Sequence, residues 1–385
     1  NRVNTPEIAE SILADGCADL VSMARPLLAD PDFILKAEQQ RSNEINTCIA
    51  CNQACLDHTF NNQIASCLLN PRACHETQLT ISKAIQPKKL AVIGAGPAGL
   101  SCAITAAQRG HSVTLYETSP EIGGQFKLAS KIPGKEEFLE SLRYYTTMLK
   151  KEGVKVKLNT TATPAHLGKH QYDHIIMATG VVGRTPQIPG IDHPMVLSYR
   201  QALNRSQNIG PRIAIIGAGG IGFDVAEFLC HKEHSYTLDR DKWLDYWGID
   251  KALNHPGGLT KPHFEPNGKQ IYLLQRKSSK PGSKLGKTTG WIHRSTLKRE
   301  GVNFISGVDY QKIDDQGLHF KADGKTQLLK VDNIIICAGQ LSNRHLYEDL
   351  KSTSHQIDII GGASLATELD AKWAIDQGTR LAASL

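Results

Sequence analysis

The sequence is short of the features that mark several protein classes. No apolar run approaches the roughly 18 residues needed to span a bilayer, and no apolar segment near the start reads as a signal peptide. We therefore expect a cytoplasmic chain without membrane insertion. There is no block of like charge: 44 Lys and Arg against 38 Asp and Glu leave a net +6 with both signs mixed along the chain. Without a basic stripe interleaved with aromatics, nucleic acid is not an expected partner. That mild positive balance suits anionic ligands such as phosphates or CoA. Nine cysteines in 385 residues are too few for a secreted disulfide scaffold. The chain also lacks an initiator Met, opening Asn-Arg-Val-Asn, from which we expect the start of a longer protein to be missing.

What is present is an ordinary globular composition, 40% hydrophobic and 21% charged, long enough for about two to three domains. Glycine is plentiful at 33 residues, which favours close approaches of backbone to ligand. Residues 1–40 read as a β/α unit. Thr5 caps a short amphipathic helix over Thr5–Leu13 with Pro6 at its first position. Ala18–Ala24 then reads as a strand ending at Arg25-Pro26, and Asp30-Pro31 opens a second helix to Ala37. One strand cannot bury both faces alone, so something upstream is expected to complete this unit. Residues 44–76 carry five cysteines with little periodicity, and a polar linker runs over 77–87.

From Leu90 the pattern becomes strand, glycine turn, helix, strand. Leu90–Ile93 is a buried strand, GAGPAG spans Gly94–Gly99, and the helix runs to Arg109 with Gly110 as its stop. Val113–Tyr116 is the next strand, closed by Glu117, 23 residues after Gly94. In that context Gly94 permits the tight turn, Gly96 lets backbone approach a pyrophosphate, and Gly99, beside Ala98, permits close helix–strand packing. Glu117 can accept hydrogen bonds from ribose hydroxyls. A second copy begins at Arg212, with Ile213–Ile216, then GAGGIG over Gly217–Gly222, whose glycines 217, 219 and 222 repeat the logic. Its second strand arrives late, at Gln270–Leu274, so 231–268 reads as an insertion on one face. After that strand come Gln275-Arg276-Lys277 rather than an acid, and Arg276 and Lys277 suit the 2′-phosphate of NADPH. Two further strands, Ile175–Gly180 and Ile334–Gly339, each end on glycine.

The most specific motif is Cys48, Cys51, Cys55 and Cys67, spaced C-x2-C-x3-C-x11-C. Four thiolates can hold zinc or an iron–sulfur cluster. Three close cysteines and one remote suit a cubane better than the paired CxxC knuckles of structural zinc. Cys17, Cys102, Cys230 and Cys337 sit in apolar contexts and read as small buried hydrophobes, and Cys74 is left over.

The four strand–glycine motifs in this order resemble the flavoproteins with two dinucleotide-binding domains, in which the first domain holds FAD and the second, inserted into it, holds NAD(P)H. Together with the cysteine segment, stretches such as NTCIACNQACLD, SCLLNPRACHE, AVIGAGPAGL, EIGGQF, IPGKEEF, LGKTTGWIHR and IIGGASLATELDA resemble the bacterial NADPH-dependent 2,4-dienoyl-CoA reductases over essentially the whole chain. The resemblance implies an α/β architecture: the end of an FMN-binding (β/α)8 barrel over 1–43, a [4Fe-4S] segment and linker over 44–87, a Rossmann-like FAD domain over 88–210 and 330–385, and a nested NADPH domain over 211–329. It implies that Cys48, Cys51, Cys55 and Cys67 bind [4Fe-4S], that Gly96, Glu117 and Gln125 touch FAD, and that Arg2, Ala24 and Arg25 lie at the phosphate end of FMN. Electrons would pass from NADPH through FAD and the cluster to FMN, and on to 2,4-dienoyl-CoA, in the β-oxidation of unsaturated fatty acids. The proton donor and the substrate site would lie in the missing barrel, so these residues alone are not expected to reduce a dienoyl-CoA. Three alternatives stay open at this point: a stand-alone NADPH oxidoreductase like the small subunit of glutamate synthase, an ene-reductase of the same architecture with another substrate, and a remnant that binds nucleotides and metal without turnover.

Overall fold

A computed structural model describes residues 2–231, 235–263, 268–351, 356–367 and 370–385. The chain divides into two compact units. The first comprises 1–127, 137–182 and 340–385, and the second 128–136 and 183–339.

The first unit is built on a five-stranded parallel sheet, ordered Gln356–Ile359, His174–Met177, Lys89–Ile93, Ser112–Tyr116, Lys155–Lys157. The central strands are runs of Ile, Val, Leu and Ala with almost no exposure, as a sheet covered on both faces requires. The helix Pro97–Gln108 follows the first central strand and packs on the C-terminal helix Ala371–Ser384. Gly378 permits that approach, because a Cβ there would lie 2.3 Å from Ala98 O.

The second unit repeats the plan. Its parallel sheet runs Val196–Ser198, Asn333–Ile336, Arg212–Ile216, Gln270–Leu274, Asn303–Ile305. An antiparallel three-stranded sheet, Asp309–Asp314, Gly317–Ala322 and Lys325–Leu329, is also part of it. The second unit contains the whole of the expected NADPH domain, 211–329, and extends beyond it to 183 and 339. The physical reason is pairing: 196–198 and 333–336 hydrogen-bond into the sheet around 212–216, so they belong to the second unit's core and not to the first's.

The N-terminal segment also departs from expectation. Thr5 caps the helix Pro6–Ala14, its hydroxyl accepting from Ile8 N at 3.4 Å, but 18–24 is not a strand, and Leu20 is 81% exposed. A lone strand without neighbours leaves its backbone groups unpaired; Arg25–Ala29 forms a short helix after it, and the expected second helix is present as Phe33–Glu38. Cys17, expected to be buried, is exposed after the left-handed turn at Gly16. Of the insertion, 232–234 and 264–267 lie outside the described residues, as do 368–369 of the IIGGASLATELDA stretch. The rest of the insertion includes the helix Arg240–Trp247, whose Tyr246 hydroxyl donates to Glu300 at 2.9 Å while Arg299 lies over the Trp247 ring. No described helix is long and apolar enough to cross a membrane.

Candidate nucleotide and cysteine sites

The two glycine turns have the same stereochemistry. Gly94 has φ +107° and Gly217 φ +114°, a region that costs an L side chain dearly. Each is also pressed against the neighbouring glycine-ended strand: a Cβ would lie 2.4 Å from Ala178 O at Gly94 and 2.3 Å from Cys337 O at Gly217. The third glycines are tighter still, since a Cβ on Gly99 or Gly222 would sit 1.9 Å or 1.8 Å from the carbonyl oxygen of the first glycine. The middle glycines differ in kind. A Cβ on Gly96 or Gly219 would meet nothing within 4 Å. No side chain or backbone crowds these two positions, so a ligand can approach the backbone there. Gly96 and Gly219 are the N-caps of helices of 12 and 11 residues, and neither helix has a side-chain cap. Their first N–H groups and the helix dipole are thus left for an anion. The residues fit a dinucleotide pyrophosphate at each turn.

Around the first turn, Glu117 accepts from Ala95 N at 2.8 Å through Oε2 and from Ser119 N at 2.8 Å through Oε1. An ionised carboxylate has about four acceptor sites, so it can hold the turn and still accept from a ribose. Ala98 is buried in the helix's first turn. Gln125 starts the helix Gln125–Ala129 and receives Gln340 Nε2 at 3.4 Å. Gly124 brings that segment against the turn, for a Cβ on it would lie 3.1 Å from Gly96 Cα. In the second unit Arg276 and Lys277 are exposed on the loop directly after Gln270–Leu274.

These turns lie inside the match to the family model for pyridine nucleotide-disulphide oxidoreductases, which covers residues 88–374. The chain belongs to that family. Its members are flavin-dependent NAD(P)H oxidoreductases, and the two built cradles agree with FAD and NAD(P)H as the bound groups. Among curated relatives, the metal reductase of Desulforamulus reducens is 34% identical over 94% of this chain and 54% of its own length. The cinnamate reductase of Clostridium sporogenes is 26% identical over 94% of this chain and 49% of its own. The structure of a 2-naphthoyl-CoA reductase in complex with 2-naphthoyl-CoA superposes with a TM-score of 0.86 at 28% identity, over 100% of this chain and 53% of that one. The chain spans about half the length of the relatives it matches.

Outside the family match, the cysteine segment is held by buried polar contacts rather than by periodic packing. Asp30, 4% exposed, accepts from Lys36 Nζ at 2.6 Å and from Asn46 N at 2.8 Å. Asn46 donates to Leu69 O and Asn70 to Leu28 O. The result is one pocket lined by Cys48, Cys51, Cys55 and Cys67 together with Arg25. Ala50 and Asn52 take φ +53° and +60°, a left-handed conformation that asparagine tolerates but that costs Ala50 roughly 1–2 kcal/mol. Ala50 N–H hydrogen-bonds Cys48, Gln53 N–H bonds Cys51, and the N–H groups of Leu69 and Asn70 bond Cys67. Burial pushes the Cys51 thiol up to about 12 and Cys67 to about 11, and raises Cys48. Among the described residues no group of three or more His, Cys, Asp or Glu is arranged to hold a metal ion. Four thiols line this one pocket, and backbone N–H groups bond three of the sulfurs.

Arg25 donates from Nη1 to Asn52 Oδ1 at 2.7 Å, and its charge acts on Cys48. Arg2, at φ +64°, pairs with Glu137, whose Oε1 also receives Asn4 Nδ2, while the same amide donates to Cys48 O at 2.9 Å. Ala24 is the N-cap of Arg25–Ala29. The structure thus brings Arg2 and Arg25 to the cysteine segment. Sequence reasoning missed Asp30 and Asn46 as its organisers. Their types carried the signal, two polar residues flanking an aperiodic stretch, but not the burial.

Proposed function

We propose that this chain is the electron-supplying part of an NADPH-dependent 2,4-dienoyl-CoA reductase. On this reading FAD lies on the first glycine turn, NADPH on the second with its 2′-phosphate on Arg276 and Lys277, [4Fe-4S] on Cys48, Cys51, Cys55 and Cys67, and the FMN phosphate at Arg2, Ala24 and Arg25. The observation that carries it is a shared core. Cys51 and Cys67, with Ile49, Leu68 and Leu69, pack in the same buried cluster as Ala95, Ala98 and Leu100 of the first glycine turn. A cysteine site packed against the same core as a flavin-type turn suits passage of electrons between the two. The bound groups supply hydride donation by NADPH, two-electron acceptance by FAD and one-electron carriage by the cluster.

This chain's own residues have the tasks of holding and excluding. The N–H groups at Gly96 and Gly219 bind pyrophosphate, Glu117 orients the ribose, and Gln125 closes over the turn from the helix beside Gly124. The N–H donors of Ala50, Gln53, Leu69 and Asn70 stabilise negative charge on sulfur, as does Arg25, and the apolar shell of Ile49, Leu68 and Leu69 keeps water from that site. The relatives named for the reduction of 2-naphthoyl-CoA and of cinnamate favour a substrate whose double bond is conjugated to a carbonyl. The test uses the natural full-length gene product under anaerobic conditions, comparing NADPH oxidation with 2,4-hexadienoyl-CoA, with cinnamate and with a soluble ferric chelate. Turnover with the dienoyl-CoA alone supports the proposal. Turnover only with the ferric chelate shifts the function to general NADPH:acceptor reduction, the reading favoured by the relative named metal reductase.

A further inference from the structure

The residue directly after the second strand of the second nucleotide fold is Gln275, at the position where NADH-selective folds carry an acid. Its side chain does not face outward to a ribose. Nε2 donates to Lys277 O at 3.0 Å and also to Ser279 O, and two carbonyl partners require the NH2 end of the amide. Three other donors bind the same short loop. Gly307 N donates to Lys277 O at 3.0 Å, Ser306 Oγ to Ser279 O at 3.3 Å, and Val308 N to Gln275 O at 3.0 Å. The carbonyls of residues 277 and 279 therefore both turn toward the Gln275 amide, and residues 306–308 tie the loop down from the other side. Arg276, Lys277 and Ser278 are left exposed.

We infer that Gln275 is a positioning residue for nucleotide selectivity, acting through the Arg276–Lys277 loop. This rests on the proposed 2′-phosphate role of those two residues. A glutamate here would be isosteric but acceptor-only, and would face two carbonyl oxygens. The loop would open, and the carboxylate would be free to turn toward a ribose. Glutamine thus removes the acid that repels a 2′-phosphate and supplies the donors that hold its cationic partners in place. The two effects come from one side chain.

The test is calorimetric binding of NADP+ and NAD+ to the purified full chain, which needs no turnover. Gln275→Ala removes the two donors without adding charge. It is expected to weaken NADP+ at least about tenfold while NAD+ affinity stays within about twofold, because the Gly217–Gly222 cradle is untouched. Ser306→Ala, which removes one peripheral donor, is expected to weaken NADP+ by a smaller factor in the same direction. The Arg276→Ala/Lys277→Ala double variant is the reference. If it loses the preference for NADP+ while Gln275→Ala keeps it, the positioning role is overturned and the phosphate assignment survives. If the double variant itself keeps the preference, the phosphate assignment fails and takes the positioning role with it. An equal loss of NADP+ and NAD+ in Gln275→Ala would also overturn it, by showing a merely structural residue.

Discussion

A methyl group added at Gly96 and one added at Gly99 should do opposite things, although the two residues are three apart in one turn. A Cβ at Gly99 would lie 1.9 Å from the Gly94 carbonyl oxygen and 3.2 Å from the Ala178 Cβ. Backbone must move to admit it, and overpacking of this kind costs about 1–3 kcal/mol or more. At Gly96 the backbone is extended, φ −81° and ψ 179°, and a Cβ meets nothing within 4 Å. Alanine is allowed there, and its lower unfolded-state entropy roughly offsets its poor N-cap character, so stability should change by less than about 1 kcal/mol. The methyl does occupy the cradle. Displacing a pyrophosphate from one backbone N–H removes a hydrogen bond to a charged group, about 1.5–3 kcal/mol, or roughly 10- to 150-fold in FAD affinity. Thermal melting of the apoprotein and fluorescence titration with FAD separate the effects. Gly99→Ala should lower the melting temperature, and Gly96→Ala should leave it nearly unchanged while weakening FAD. A Gly96→Ala chain that binds FAD with undiminished affinity would refute the placement of the pyrophosphate at this turn.

Other consequences follow from the same geometry. Cys51→Ala should remove iron and labile sulfide from the reconstituted chain while leaving FAD content intact; normal iron content would remove Cys51 from the ligand set. Ala50→Gly relieves the left-handed strain at φ +53° and should stabilise the apoprotein by up to about 1–2 kcal/mol in chemical denaturation, and an unchanged midpoint would mean that the strain is not stored there. His293 donates from Nδ1 to Glu227 Oε1 at 2.8 Å. Burial pulls its pKa down, but the hydrogen bond and charge of Glu227 outweigh that and hold it above the ordinary value. Folding therefore favours protonated His293. Its contribution is complete below the unfolded-state value of about 6.5 and is lost as pH rises through the folded one. Glu227→Gln should flatten the fall in melting temperature above about pH 6.5; an unaltered pH profile would exclude the pair as its source.

Much of this was legible in the residues because it depends on local stereochemistry. The glycine turns, their flanking strands and the late strand Gln270–Leu274 follow from positive φ, buried apolar runs and helix N-termini, all of which have a sequence signature. The unit limits did not, because Val196–Ser198 and Asn333–Ile336 join the second sheet through pairing that short apolar runs do not reveal. Ala18–Ala24 has strand composition but no neighbour, and composition cannot supply one. The cysteine spacing was plain, whereas the buried Asp30 and the left-handed Ala50 and Asn52 that shape the cavity depend on tertiary contacts. Gln275 was read as the absence of an acid. Only its two carbonyl partners show what the amide does instead.

The central claim is that NADPH-derived electrons reach the cysteine site by way of the flavin turn. Its most direct test is an anaerobic NADPH titration of the purified, FAD-loaded and cluster-reconstituted chain, followed by visible absorbance. The account predicts that the flavin bands bleach and that the broad cluster absorbance then falls. Bound flavin that NADPH leaves oxidised, or reduced flavin beside an unchanged cluster spectrum, would contradict it.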